Sequence, residues 1–245
     1  MLLLAGKGKQ PSDWHVLETK PPLYTRAYLI LGGKTVYHAG GAARPLLPGW
    51  LYIFPAHIPY ELTTDPEDPI ECMHMHLDLR GANLSRLIAI DLSADRQIAN
   101  LMRVIEDGVD AACPPGYMEQ LALAFEELCL ARGFFETMDA CTGQYIDALR
   151  EVYRTDANLE SIAAQFGYSP EHFIRIFKKR VGVSPHQYIV SLRMSDAVRM
   201  LAATSSLDEI AAAVGYADGR SFSNAFRRYY GVSPSVYREH YAGHV

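Results

Sequence analysis

Two stretches in the last hundred residues carry side chains suited to reading a duplex and gripping its phosphates. In the first, Phe173, Ile176 and Phe177 hold the inward face of a helix, which leaves Glu171, Ile174, Arg175 and Lys178 outward. Forty-nine residues on, Arg220, Ser223, Asn224 and Arg227 fall at the equivalent outward places. A guanidinium at Arg175 can bond twice to the O6/N7 edge of a guanine, and the Asn224 amide can do the same for adenine. Ile174 can touch a thymine methyl, while Glu171 either accepts from a cytosine amino group or turns away. Glu171, Ile174, Arg175, Arg220, Ser223 and Asn224 therefore form the expected base-reading set. Lys178, Lys179, Arg180, Arg193, Arg199, Arg227 and Arg228 are expected to neutralise phosphates, adding affinity without sequence information.

These side chains need two matching scaffolds, and the sequence contains a repeat that supplies them. Ile162-Ala163-Ala164-Gln165-Phe166-Gly167-Tyr168 matches Ile210-Ala211-Ala212-Ala213-Val214-Gly215-Tyr216, and Gly182-Val183-Ser184-Pro185 matches Gly231-Val232-Ser233-Pro234. Leu159, Ile162, Ala163 and Phe166 follow helical spacing after a candidate cap at Asn158. Gly167 then stops the helix, because a residue without Cβ can take the left-handed conformation required there. Ser169-Pro170 starts the next helix with a capping hydroxyl and a residue that needs no N–H in the first turn. The second copy repeats this with Leu207, Ile210, Ala211 and Val214, then Phe222, Ala225, Phe226 and Tyr229. A connecting helix of about 20 residues, from Ser184 to about Ala203, would be roughly 30 Å long. That is close to the ~34 Å between successive major-groove faces of B-DNA.

The segments IAAQFGYSPEHFIRIFKKRVGVSPHQYI and IAAAVGYADGRSFSNAFRRYYGVSPSVYR resemble the paired helix-turn-helix units of AraC/XylS-type bacterial transcription regulators. The resemblance implies double-stranded DNA as a partner, regulation in the sense of activation, RNA polymerase as a further partner, and base contacts from the outward positions near the N-termini of the second helices. It also implies an N-terminal half that senses a small-molecule effector, a sugar by analogy.

The N-terminal half changes pattern. Tyr28-Leu29-Ile30-Leu31, Lys34-Thr35-Val36-Tyr37-His38, Trp50-Leu51-Tyr52-Ile53-Phe54 and Glu71-Cys72-Met73-His74-Met75-His76-Leu77 read as short strands between Gly- and Pro-rich turns. They suggest a small β-barrel or sandwich, and the resemblance implies a cupin-like barrel. Candidate effector-lining residues are Tyr24, Arg26, Tyr28, His38, Trp50, Tyr52, His57, His74 and His76. His74 and His76 share a face of one strand and could bind a divalent metal with His57. However, the His-x-His-then-Glu spacing of metal cupins is missing, so no metal or other cofactor is expected. Two helical stretches follow, about 93–107 and 117–137. Ile98, Leu101, Met102 and Ile105 form one apolar stripe; Leu121, Ala124, Phe125, Leu128 and Cys129 form another. They either cover the barrel or make a homodimer contact, which a regulator bound at two DNA sites would need.

The expected architecture is α+β: a cupin-like effector-sensing barrel over residues 1–90, a helical dimerisation and linker segment over 91–141, and an all-α double helix-turn-helix domain over 142–245. Charge divides at the same place, with net −7 before residue 142 and +2 after it. All four cysteines precede residue 142 without a CxxC pair, which suits reduced thiols. The opening Met1-Leu2-Leu3-Leu4 is too short for a signal peptide, and no apolar run is long enough to cross a bilayer. A cytoplasmic regulator rather than an enzyme is expected. Two alternatives stand beside effector control: a metal-dependent cupin enzyme fused to a DNA-binding module, and constitutive DNA binding.

Overall fold

The computed structural model describes residues 2–18, 24–56, 58–79, 82–111, 113–114, 116–155, 158–202, 206–230 and 232–241. The chain forms two compact units that part between Thr137 and Met138.

The first unit contains β1 (Leu2–Lys9), β2 (His15–Glu18), β3 (Thr25–Gly32), β4 (Thr35–Ala39), β5 (Ala42–Leu46), β6 (Trp50–Phe54), β7 (Tyr60–Thr64), β8 (Glu71–Leu77), β9 (Ala82–Asn83), β10 (Ile88–Asp91), α1 (Arg96–Asp110), α2 (Tyr117–Ala131) and β11 (Glu136–Thr137). Among the described residues these make two main antiparallel sheets, ordered β1-β8-β3-β6-β10 and β2-β7-β4-β5, with a small β9-β11 pair. The side-chain alternation of strands divides the larger sheet's residues between two cores. Ala27, Leu29, Leu51, Ile53, Met73, Met75 and Leu77 pack with Ile98, Met102 and Ile105 of α1 and Phe125 and Cys129 of α2. The opposite face presents Tyr28, Ile30, Tyr52, Phe54 and Cys72 to Tyr37, Leu46, Tyr60 and Leu62 of the smaller sheet. A sheet covered on both faces favours continuous apolar sequence, as in β6, and both β6 and β8 keep the bounds their sequence suggests.

Three departures from expectation are instructive. The helix from Tyr117 stops at Ala131, Gly133 takes φ 70°, and Glu136–Thr137 becomes a strand paired with β9. α1 starts at Arg96, because the Asp95 carboxylate accepts from the backbone N–H of Gln97 and Ile98 and so fixes the cap there. β1 was unmarked in the sequence, since its two glycines and two lysines blur alternation; in the fold it pairs with β8 along its length.

The second unit contains α3 (Ala140–Val152), α4 (Leu159–Gln165), α5 (Pro170–Val181), α6 (Pro185–Ala202), α7 (Leu207–Ala213), α8 (Gly219–Tyr230) and α9 (Pro234–Tyr241). α4–α5 and α7–α8 are the two repeats, and α6 is the connector, about 27 Å long at 1.5 Å per residue. Met194, Ala197, Val198 and Leu201 of α6 share the second repeat's core with Ile210, Ala211, Val214, Phe222 and Phe226. α3 contributes the buried Tyr145, Ile146 and Leu149 to this unit.

Candidate nucleic-acid interface and the interior of the β unit

Both turns are built the same way. After α4, Gly167 has φ 71° and the Tyr168 N–H donates to the Ala163 carbonyl at 3.0 Å; after α7, Gly215 has φ 82° and the Tyr216 N–H donates to the Ala211 carbonyl at 2.8 Å. This closes each helix with a left-handed residue and a hydrogen bond spanning the last turn. α5 is then capped by Ser169, whose hydroxyl accepts from the His172 N–H at 3.3 Å. α8 is capped by Asp218, which accepts from the Ser221 N–H at 2.6 Å.

The inward sides of the two second helices carry Phe173 and Phe177, and Phe222 and Phe226, all fully buried. That fixes the outward faces. Glu171, Ile174, Arg175, Lys178 and Lys179 are exposed on α5, and Arg220, Asn224, Arg227 and Arg228 on α8. Ser223 is half-buried and its hydroxyl donates to the Gly219 carbonyl at 2.7 Å. The Glu171 carboxyl is held below the ordinary carboxylate range by its own backbone N–H and by the Ser169 hydroxyl, so it folds back on the start of α5. Arg175 meets a partner absent from the sequence reading: its guanidinium donates to His172 Nδ1 at 3.3 Å.

Two of the expected phosphate contacts are occupied within the fold. Arg193 donates to the carbonyls of Tyr153 (2.6 Å) and Thr155 (2.7 Å), and its guanidinium lies 5.4 Å from the Tyr216 ring centre. It ties the end of α3 to α6 and to the second turn. Arg180 pairs with Asp139 at 2.6 Å, the residue that caps α3. Beside Arg193 lies a cluster the sequence reading missed: Asp196, 3% exposed, accepts from the Tyr153 hydroxyl and from the Arg154 guanidinium at 2.6 Å. A carboxylate on the buried side of the connector was its only signal. The Arg199 side chain lies outside the described residues.

In the first unit, Tyr24, Arg26, Tyr28, His74 and His76 come together on the inner face of the larger sheet. β3 and β8 pair Arg26 with His76 and Tyr28 with His74. The Arg26 guanidinium donates to the Tyr60 hydroxyl (3.0 Å) and the Tyr24 hydroxyl (3.2 Å), and Tyr24 stacks on His76 at 4.8 Å. Burial, then the charges of Arg26 and His74, hold His76 well below its ordinary range, so it is neutral at pH 7. Trp50 and Tyr52 join the same side, but Tyr52 is a packed core residue whose hydroxyl accepts from the Leu47 N–H. His38 does not: Tyr37 points inward, so its neighbour faces out and bonds Thr63 Oγ1 at 3.1 Å. His57 lies outside the described residues. Among the described residues no three His, Cys, Asp or Glu side chains converge as a metal site. Tyr37, Phe54 and Tyr60 complete the aromatic interior; Tyr37 and Phe54 lie in strands read from the sequence but were not among the candidate liners, and Tyr60 was missed because a Pro-rich turn obscures the alternation at the start of β7.

Comparison with known proteins places these features. The family described as "Helix-turn-helix domain" matches residues 144–240. A lactose operon transcription activator from Staphylococcus xylosus is 33% identical over 98 residues, which cover 40% of this chain and 35% of that protein, so the match spans about a third of the relative's length. A probable transcriptional regulator, LumQ, from Photobacterium leiognathi is 24% identical over 88% of this chain and 89% of its own. The crystal structure of unsaturated fatty acid-bound ToxT from Vibrio cholerae covers 96% of this chain and 94% of its own, with TM-score 0.67 and 13% identity, and thus shares the fold. The doubled, glycine-turned C-terminal unit is thus similar to the helix-turn-helix units of AraC/XylS-type proteins, over residues 144–240.

Proposed function

We propose that the chain is a sequence-specific DNA-binding transcription regulator, an activator, whose DNA affinity is set by a small molecule held in the β unit. The observation that carries this is the pair of exposed, basic helix faces, each following a left-handed glycine turn and each backed by two buried phenylalanines. Arg175 and Asn224 are the principal base readers, with Ile174, Arg220 and Ser223 beside them. Lys178, Lys179, Arg227 and Arg228 bind phosphates. The inward cluster of Tyr24, Arg26, Tyr28, His74 and His76 offers hydroxyls, ring faces and N–H donors, which suits a sugar; a related fold has also been solved with a fatty acid. A homodimer suits a regulator bound at two DNA sites, but the apolar stripes of α1 and α2 expected to form it are used to cover the larger sheet; RNA polymerase is the partner of the DNA-bound form. Such a regulator works in the cytoplasm; no described helix is long and apolar enough to cross a membrane.

The test is selection of duplexes from a random-sequence pool by the full chain, followed by titration at several salt concentrations. A reproducible motif with two half-sites about one helical repeat apart is expected, with affinity falling steeply with salt. Enrichment of no motif would overturn the reading. Thermal shift of the full chain against sugars and fatty acids, repeated with the selected DNA, tests effector control; light scattering across a concentration series tests the dimer.

A further inference from the structure

A side-chain array leads from the buried Tyr145 of α3, through the first turn, to the exposed Arg175 of α5. Tyr145 is fully buried, with its ring edge-on to Phe166 and Phe173. Its hydroxyl donates to the Tyr168 hydroxyl at 3.2 Å. Tyr168, anchored also by its backbone bond to Ala163, presents its ring to His172, which stacks on it with centroids 4.7 Å apart and planes 22° apart. His172 in turn meets the Arg175 guanidinium at Nδ1. A guanidinium has no acceptor, so Nδ1 must be the unprotonated, accepting nitrogen of the ring.

Arginine side chains lose considerable rotamer freedom when they bind in one geometry, and a group already held near that geometry loses less. Glu171, one turn back, is folded onto the helix start, so the imidazole is the neighbour that steadies Arg175. We propose that His172 is a positioning residue for base recognition: braced on Tyr168, it holds the Arg175 guanidinium ready for a base edge without itself reading the base. The second unit has no such array. Ser221 stands where His172 does and takes part in capping, and Tyr216 is engaged by Arg193. The device therefore sharpens one half-site and leaves the other to Asn224.

This inference rests on Arg175 being a base reader, and the experiment separates the two. The full chain and its Arg175→Ala, His172→Leu and His172→Asn variants are each used to select duplexes from the random pool. Each is then titrated against the selected site and against versions substituted at single base pairs. Arg175→Ala should abolish preference at one position of one half-site. His172→Leu should relax that same position by about three- to tenfold, with the other half-site unchanged. His172→Asn, whose side-chain oxygen can accept near the place of Nδ1, should recover part of the preference. If Arg175→Ala weakens all sequences equally, the base-reading role of Arg175 fails and the inference with it. If Arg175→Ala relaxes one position but His172→Leu leaves it intact, the positioning role alone is overturned. Loss at both half-sites in His172→Leu, with a lowered melting temperature, would also overturn it, because the residue would then be acting through the fold.

Discussion

The two helix-turn-helix units share a backbone plan yet are attached to the rest of their domain in different ways. A Cβ placed on Gly167 would meet nothing within 4 Å, whereas one on Gly215 would lie 2.6 Å from the Arg154 carbonyl oxygen and 3.1 Å from the Arg193 guanidinium carbon. The first turn is open and its tyrosine stacks on His172 of α5. The second is pressed against the end of α3, and its tyrosine is covered by Arg193. The same local signal thus serves one unit as a free edge and the other as a joint. The joint also contains Asp196 with Tyr153 and Arg154, so it ties the end of α3 to α6 and to the second turn.

That contrast is open to direct attack. Gly215→Ala should cost about 3 kcal/mol or more by urea unfolding, since left-handed strain of ~1–2 kcal/mol adds to a backbone clash. Gly167→Ala should cost only about 1–2 kcal/mol, from strain alone. Equal losses would mean that the second turn is not a joint. Asp196→Ala should follow, at about 2–4 kcal/mol, because it strips a buried carboxylate from two donors. It should also widen the half-site spacings that the protein tolerates while leaving the preferred bases unchanged, which selection against spacer libraries would read.

At the reading faces, Arg175→Ala and Asn224→Ala should each cost about 1–3 kcal/mol on the cognate site and relax different half-sites. Lys178→Ala and Arg227→Ala should instead weaken binding on all sequences and lower the salt slope by about one each. A sequence-selective effect of Lys178→Ala would redraw the boundary between reading and gripping. The smallest effect concerns the caps. The Asp218 carboxyl is depressed by the Ser221 N–H and hydroxyl, whereas Ser169 in the first unit does not titrate. A depressed folded value means the contribution is present above the ordinary carboxylate range and is lost as pH falls through the folded value. Asp218→Asn should therefore flatten part of the acid limb of a melting-temperature profile. Glu171 and Glu209 act in the same direction, which is why the variant is compared with the parent chain.

The repeat could be read from the chain because its information is local. A glycine after a helical stripe, a capping hydroxyl and a proline at the first turn each act over a few residues, and all appear at their expected places around Gly167, Ser169 and Pro170. The faces of α5 and α8 followed from period alone, once their phenylalanines were taken as inward. β6 and β8 were legible because both of their faces are buried. β1 was not, since its place is set by pairing with β8 some seventy residues away.

Tertiary structure decided what no spacing records. Arg193 and Arg180 look like any surface cations in sequence, but carbonyls and a carboxylate from α3, about 40 residues earlier, claim both. His38 and His74 are equal candidates as letters; which of them faces the interior depends on the register of a strand within a sheet, and one residue of shift exchanges the faces. Local conformational preference selects helices, turns and caps. Which charged side chains stay exposed, and which are held by distant backbone, is settled only when the chain packs, because those partners meet nowhere else.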